Sequence, residues 1–419
     1  MTLLKTINAN NFQPDAAPRP LDEATLVAAE SIVSGVREGG REALIEYAKK
    51  FDGHIDGQPL LLDRDALEAA KDRLDADDLA LLERVALRVR KFAQAQLDAL
   101  SELEMDVPGG KAGHSIVPVQ RAGCYAPAGR YALPSTVIMT VVPAVVAGCD
   151  EVVLATPGTS DLMLAAAAVA GADRVLAVGG AQAVAAMAYG FEGFERCDVI
   201  VGPGNRWVTA AKKIVSGDCG IDMLAGPSEL VLVGDESSDP ATVAADLLAQ
   251  AEHDEDARAF LVTTSRGLIE KVIAQLEQQL DVLPTAATAK VALGNGAAVL
   301  CESVDQVVAV CNALAPEHLE LHCDDSQGVA DRIVNAGCLF IGHQSAEVFG
   351  DYGVGPNHTL PTAGTARFSA GLNVFTFVRV RTWLKLDAAP QTLVDDTARL
   401  SELEGLTGHQ RSALKRGKS

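Results

Sequence analysis

Val199-Ile200-Val201-Gly202-Pro203-Gly204-Asn205-Arg206-Trp207-Val208 reads as a strand that stops at a glycine–proline turn and runs on into a helix. Three β-branched residues in a row suit a buried strand, and the two glycines with a proline between them end it. The same unit stands three more times upstream. Cys124 to Pro127 leads to a helix near Thr136, Val152 to Thr156 to one at Leu162, and Val175 to Val178 to one at Ala181. Strand, turn and helix repeated four times predict an open, doubly wound parallel sheet. The turns Pro127-Ala128-Gly129, Gly179-Gly180-Ala181-Gln182 and Gly202-Pro203-Gly204-Asn205 are short enough to let a phosphate approach a helix N-terminus. None is a full G-x-G-x-x-G, and Thr156-Pro157-Gly158 stands where a ribose-binding carboxylate is expected. On their own the turns serve a tight bend as well as a dinucleotide.

A second series starts at Glu229. Leu230 to Val233, Phe260 to Thr263, Val299 to Leu300 and Cys338 to Ile341 are strand-like and alternate with helices such as Gly267 to Leu280, which predicts a second open sheet. Before both series, Leu21 to Phe51 and Arg64 to Leu103 carry apolar residues at three- and four-residue spacing with charges between them. These are packing helices with solvated faces. The chain ends in another helical stretch, Gln391 to Leu414, where Leu393, Leu400 and Leu403 make a modest apolar face.

Composition narrows the class of function. With 419 residues and 48% hydrophobic content, the chain has room for two or three domains, each with a core. A formal charge of -21 repels nucleic acid and anionic membrane alike, so a small molecule is the expected partner. Met1 to Phe12 has neither the apolar core nor the basic lead of a signal peptide, and no apolar run is long enough to span a bilayer. A cytoplasmic chain is expected. Its cysteines, among them Cys149, Cys197, Cys219 and Cys338, form no C-x-x-C pair and read as reduced core residues.

Chemistry gathers in the second half. In the helical run from Pro240, Val243, Leu247 and Leu248 face a core, while Gln250 and His253 share the next exposed face at a spacing that aims both at one point. Such a pair holds a metal or simply borders solvent. Ala315-Pro316-Glu317-His318-Leu319-Glu320 reads as a loop that sets an acid beside an imidazole able to exchange protons near neutral pH. Gly350 to Thr362 has no helix or strand period and carries Asp351 and His358. Glu404 and His409 stand near the tip of the terminal helical stretch.

Five of these stretches, in this order, resemble the histidinol dehydrogenase family: Gly202 to Asn205, Ile221 to Glu229, Leu248 to Asp254, Ala315 to Glu320, and Gly350 to Tyr352 through Asn357-His358 to Leu360-Pro361-Thr362. The resemblance implies a zinc- and NAD-dependent, four-electron oxidation of L-histidinol to L-histidine through a bound aldehyde. It assigns one zinc per subunit to Gln250, His253, Asp351 and His409, the last lent by the other subunit of a homodimer. Glu317 and His318 become the catalytic pair. Ser228, Asp351, Glu404 and His409 join Gln250, His253 and His318 around the substrate, and Tyr125, Gln182 and Asn205 meet NAD. The implied fold is two Rossmann-like open parallel-sheet domains with N-terminal helical segments and a C-terminal helical tail exchanged in the dimer. Its implied division is a segment 1–20, a zinc and catalytic unit of 21–123 plus 228–372, an NAD unit 124–227, and a dimerisation tail 373–419. Ala128 stands where the family usually has glycine, putting a Cβ near the phosphate, and Ala93 follows Phe92 where a histidine is usual. Two other readings stand beside this one: a paralogue oxidising another small polar alcohol, such as a hydroxylated sulfonate, and a metal-binding protein without catalysis.

Overall fold

The first series forms as its pattern predicts, in a computed structural model that describes residues 3–14, 21–128 and 132–417. Gly129, in the first of the three turns, lies outside the described residues. Strands Arg121–Tyr125, Glu151–Ala155, Arg174–Leu176, Val199–Val201 and Gly220–Ile221 pair in parallel, and Leu61–Leu62 adds an antiparallel edge beside Arg174–Leu176. Strand order reverses between Arg121–Tyr125 and Val199–Val201, which opens a crevice at their carboxyl ends. Helices Pro134–Ala147 and Asp161–Ala170 cover one face, and Gly180–Tyr189 and Arg206–Val215 the other.

The helices before this sheet belong to it. Val33, Val36, Leu44 and Ala48 of Glu23–Phe51 pack on the alanine-rich face of Gly180–Tyr189. Leu67 and Ala70 of Arg64–Arg73, with Leu82, Ala86 and Val89 of Ala76–Asp98, join the core on the opposite side. These helices thus pack on the first sheet, whereas the resemblance implied a grouping of 21–123 with 228–372. Helical spacing marks which stripe of a helix is apolar, but an apolar stripe fits any complementary apolar face.

The second sheet is parallel throughout, in the spatial order Thr6–Asn8, Ala297–Leu300, Arg258–Thr263, Glu229–Gly234, His318–His322, Cys338–Ile341. Its edge strand, Thr6–Asn8, comes from the N-terminal segment. A correction falls at residues 318–322, expected as part of a loop and found as a buried strand between two others. His-Leu-Glu-Leu-His alternates with period two: Leu319 and Leu321 enter the core beside helix Val304–Leu314, which turns His318, Glu320 and His322 to the opposite layer. That layer holds helices Pro240–Ala251 and Arg266–Leu280.

Strands Leu103–Val107, Gly110–Pro118 and Val378–Leu386 form an antiparallel sheet, where the sequence had suggested helix up to Leu103. From it the chain continues into helices Gln391–Leu403 and Thr407–Leu414, which pack on each other and leave Leu400, Leu403 and Leu406 exposed. Among the described residues no helix is long and apolar enough to cross a membrane.

Candidate active site

Ser228 immediately precedes one central strand of the second sheet and Glu317 immediately precedes its parallel neighbour, so both stand at the amino ends of the pair. Helix Pro240–Ala251, opened by the Asp239 cap and by proline at its first turn, runs back antiparallel to the strands and brings Gln250 to that same end. It stops there. His253 lies past the helix end, half exposed, whereas Gln250 is fully buried, which corrects the shared exposed face that the spacing suggested. Asp351 ends a short helix, Glu347–Asp351, so the irregular stretch begins two residues later than expected. That stretch is pinned against the first unit: Arg88 Nε donates to the Gly353 carbonyl at 2.7 Å and Asn357 Nδ2 to the Met139 carbonyl at 2.6 Å.

His318 sits at the centre, buried against Phe340, and among the described residues neither ring nitrogen has a hydrogen-bond partner. Its Nδ1 is 3.7 Å from both Glu317 Oε2 and Glu347 Oε1, and its Nε2 is 3.9 Å from Asp351 Oδ1. Burial, helped by the nearby His253, lowers its pKa to about 3, so the ring is neutral. Burial acts oppositely on the acids. It raises Glu317 well above the usual carboxylate range, although the Ser228 hydroxyl and the Glu229 amide both donate to its Oε2, at 2.6 and 3.0 Å. Asp351 is pushed up to about 6 by burial, with the His253 charge pulling the other way.

His253 Nε2 lies 3.7 Å from Glu347 Oε1 and 3.8 Å from Asp351 Oδ2. The Gln250 amide nitrogen, turned toward Glu347, donates to both of its carboxylate oxygens at 3.1 Å, and the Gln250 carbonyl accepts from Ser228 Oγ at 3.2 Å. Ser228 has one proton, so it serves Glu317 or Gln250 at a time. Glu347 is the member that sequence reading missed. A signal was present, because Glu347 and Asp351 are four residues apart and share a helix face. His358 is held by the same turn, its Nδ1 3.1 Å from the Asp351 carbonyl.

At the crevice of the first sheet, Tyr125, Gln182 and Asn205 line a cavity of about 680 Å³ with Asp52, Ala128 and Trp207. The Gly180 amide donates to the Tyr125 hydroxyl at 3.1 Å, and Asn205 Oδ1 caps helix Arg206–Val215 by accepting from the Trp207 amide at 3.0 Å. Asp52 accepts from the Gly179 amide and from Gln182 Nε2, at 3.1 and 3.0 Å. No local pattern marks Asp52, since its partners lie far along the chain.

A histidinol dehydrogenase family model matches residues 19–417. The chain belongs to the histidinol dehydrogenase family. It is 43% identical over 391 residues to a histidinol dehydrogenase of Pseudomonas savastanoi pv. phaseolicola, covering 91% of this chain and 87% of that one. To that of Aromatoleum aromaticum it is 42% identical over 396 residues, covering 92% and 90%. A solved histidinol dehydrogenase from Elizabethkingia anophelis superposes with a TM-score of 0.92 at 31% identity, covering 99% of this chain and 98% of that one. The chain is thus an oxidoreductase of this family and fold.

Within the histidinol dehydrogenase frame, two expected site residues stand apart. Glu404 and His409 are exposed on the terminal helices, and the group around His253 consists of Glu347 and Asp351, with Gln250 beside it. Ala128 has an ordinary negative φ, so its Cβ brings no backbone strain, and it packs beside Gly158. Ala93 borders a smaller cavity of about 220 Å³ with Phe92, Gly355 and Asn357.

Proposed function

We propose that the chain oxidises L-histidinol to L-histidine, with zinc as its resident metal, NAD as electron acceptor, and a homodimer as the working unit. The observation that carries this reading is His318: a buried, neutral imidazole with two unpartnered nitrogens, faced by Glu317, Glu347 and Asp351. A zinc ion fits beside it. The separations of 3.7 and 3.8 Å from His253 to Glu347 and Asp351 are too long for hydrogen bonds, yet close to the edge of about 3.4 Å between two ligands of a tetrahedral zinc. Gln250, His253 and Asp351 would hold the ion together with His409 of the partner subunit. Tyr125, Gln182 and Asn205 would hold NAD at the crevice of the first sheet, where a helix N-terminus favours phosphate.

When bound, zinc supplies a positive centre that positions the substrate's nitrogens, and NAD supplies the hydride acceptor. His318 Nε2, free of any partner, takes the proton of the alcohol as it becomes the aldehyde. Glu317 then takes a proton from the water that adds to the aldehyde, and its burial makes its carboxylate a stronger base than an exposed one. His318 accepts the next hydroxyl proton as the hydrate becomes the carboxylic acid. Ser228, Glu404 and the zinc ligands orient the substrate.

Support for the homodimer comes from the tail. Val380, Leu384, Leu400 and Leu403 are each more than half exposed, an apolar surface that a second copy would cover while it receives His409. Incubation with zinc, NAD and L-histidinol tests the whole reading: two NADH should form for each histidine. One NADH per substrate, or no turnover beside good activity on another alcohol, would replace it with the second reading, another small polar alcohol. That reading rests on Ala93, which leaves the cavity beside Phe92 free of an imidazole.

A further inference from the structure

The strand His318–His322 carries a second set of polar side chains that the reaction does not use. Glu320 and His322 point to the same layer as His318, and helix Pro240–Ala251 covers that layer with Gln250 at one end and Asp246 one turn earlier. His322 Nδ1 lies 3.9 Å from Asp246 Oδ2, and His322 Nε2 lies 3.7 Å from Glu320 Oε2. Both separations exceed hydrogen-bond length. Asp246 Oδ2, Glu320 Oε2 and His322 Nε2 are all buried and, among the described residues, all without a hydrogen-bond partner. The Glu320 side chain is 0% exposed and that of His322 is 2%.

Three buried groups with free lone pairs converge, and one atom from each falls within 4.8 Å of the others. Among the described residues no Lys or Arg pairs with Asp246 or Glu320; their ion-pair neighbour is His322. Two carboxylates out of water without a cation are costly. Burial accordingly pushes Asp246 up to about 6 and Glu320 well above the usual range. The 3.7 Å from His322 Nε2 to Glu320 Oε2 again approaches the edge of about 3.4 Å between ligands of a tetrahedral zinc, and Asp246 offers its oxygen within 4.8 Å. One imidazole and two carboxylates are a donor set for a borderline divalent ion rather than a soft monovalent one.

We propose that Asp246, Glu320 and His322 form a second, structural site for a divalent cation such as zinc, separate from the one beside His318. The cation neutralises Glu320, whose other oxygen accepts from the Glu347 amide at 2.6 Å. It thereby braces the helix Glu347–Asp351 from behind, and its occupancy does not depend on substrate or NAD.

The test counts metal. Full-length protein, stripped with a chelator and then titrated with zinc alone, should hold two ions per chain after gel filtration. His322→Gln, which keeps size and neutral polarity, should hold one, and so should Asp246→Asn, at the less buried rim of the cluster. Circular dichroism of the stripped proteins shows whether each variant is folded, and the two variants give independent readings. His253→Gln should also hold one ion, lost from the other site, so failure of either assignment is separable from failure of the other. Zinc should raise the melting temperature of the unsubstituted chain more than that of folded His322→Gln. A zinc count indifferent to both His322→Gln and Asp246→Asn overturns the site, whatever His253→Gln does.

Discussion

Glu317 and His318 are neighbours in sequence, yet the start of a strand separates their surroundings. Glu317 is bonded by Ser228 and the Glu229 amide, whereas both nitrogens of His318 are free. His318→Asn should therefore lower both hydride steps, by about a hundredfold or more, because each releases a hydroxyl proton. Glu317→Gln should spare the alcohol step and slow aldehyde oxidation, because that half alone needs an activated water. Rates measured separately from histidinol and from histidinaldehyde decide it, and equal losses in both from Glu317→Gln would refute the division. Tyr125 makes the pH case. Burial raises its phenol from 10 to about 12, so the folded chain keeps this proton where the unfolded chain would lose it. The stability it adds is complete below pH 10 and disappears as pH rises through about 12. NAD affinity should accordingly stay flat from pH 7 to pH 9, as titration calorimetry would report; a fall over that range would mean that Tyr125 ionises early.

At the scale of elements, the turn after Val199–Val201 shows why the glycines of the quoted stretch are there. Gly202 has φ +113°, and a Cβ on it would come 2.1 Å from the Tyr125 carbonyl oxygen. Its amide donates to Asp222 at 2.7 Å and its carbonyl accepts from buried Lys212 at 3.0 Å, so the turn is tied to the helix and strand that follow. Gly202→Ala should cost about 1–3 kcal/mol of stability, visible as a lower melting temperature. It should weaken NAD binding and leave the zinc content unchanged. Unaltered NAD affinity in a folded Gly202→Ala protein would detach this turn from the cofactor. The strand His318–His322 teaches the opposite lesson. Its period-two alternation was present in the sequence, but the preceding Pro316 and the three polar residues in five concealed it as a loop. Polar side chains are rare in a parallel interior strand, and here they line the proposed sites.

At the scale of the whole molecule, the terminal helices pack on each other and hold Glu404 and His409 away from their own chain's His253 cluster. If the tail completes the partner's site, each site of a dimer needs both chains. His409→Ala and His318→Ala chains should each be nearly inactive alone. In a mixed dimer one site receives an intact His318 and an intact His409, and the other carries both defects. Mixing under conditions that allow exchange should restore up to about half of the activity per mixed dimer, or about a quarter of the total with random pairing. Proven exchange without recovery would rule out shared sites.

The sequence by itself determined the repeating strand–turn–helix units, because hydrophobic period and glycine–proline punctuation act over a few residues. It also displayed the chemical types at Gln250, His253, Glu317, His318 and Asp351. Only tertiary structure decided which sheet each early helix covers, that Gln250 is buried while His253 is half exposed, and that Glu347 and Asp52 stand among the candidate groups. Those outcomes depend on contacts between residues far apart in the chain, and local periodicity specifies an apolar or polar face without specifying what meets it.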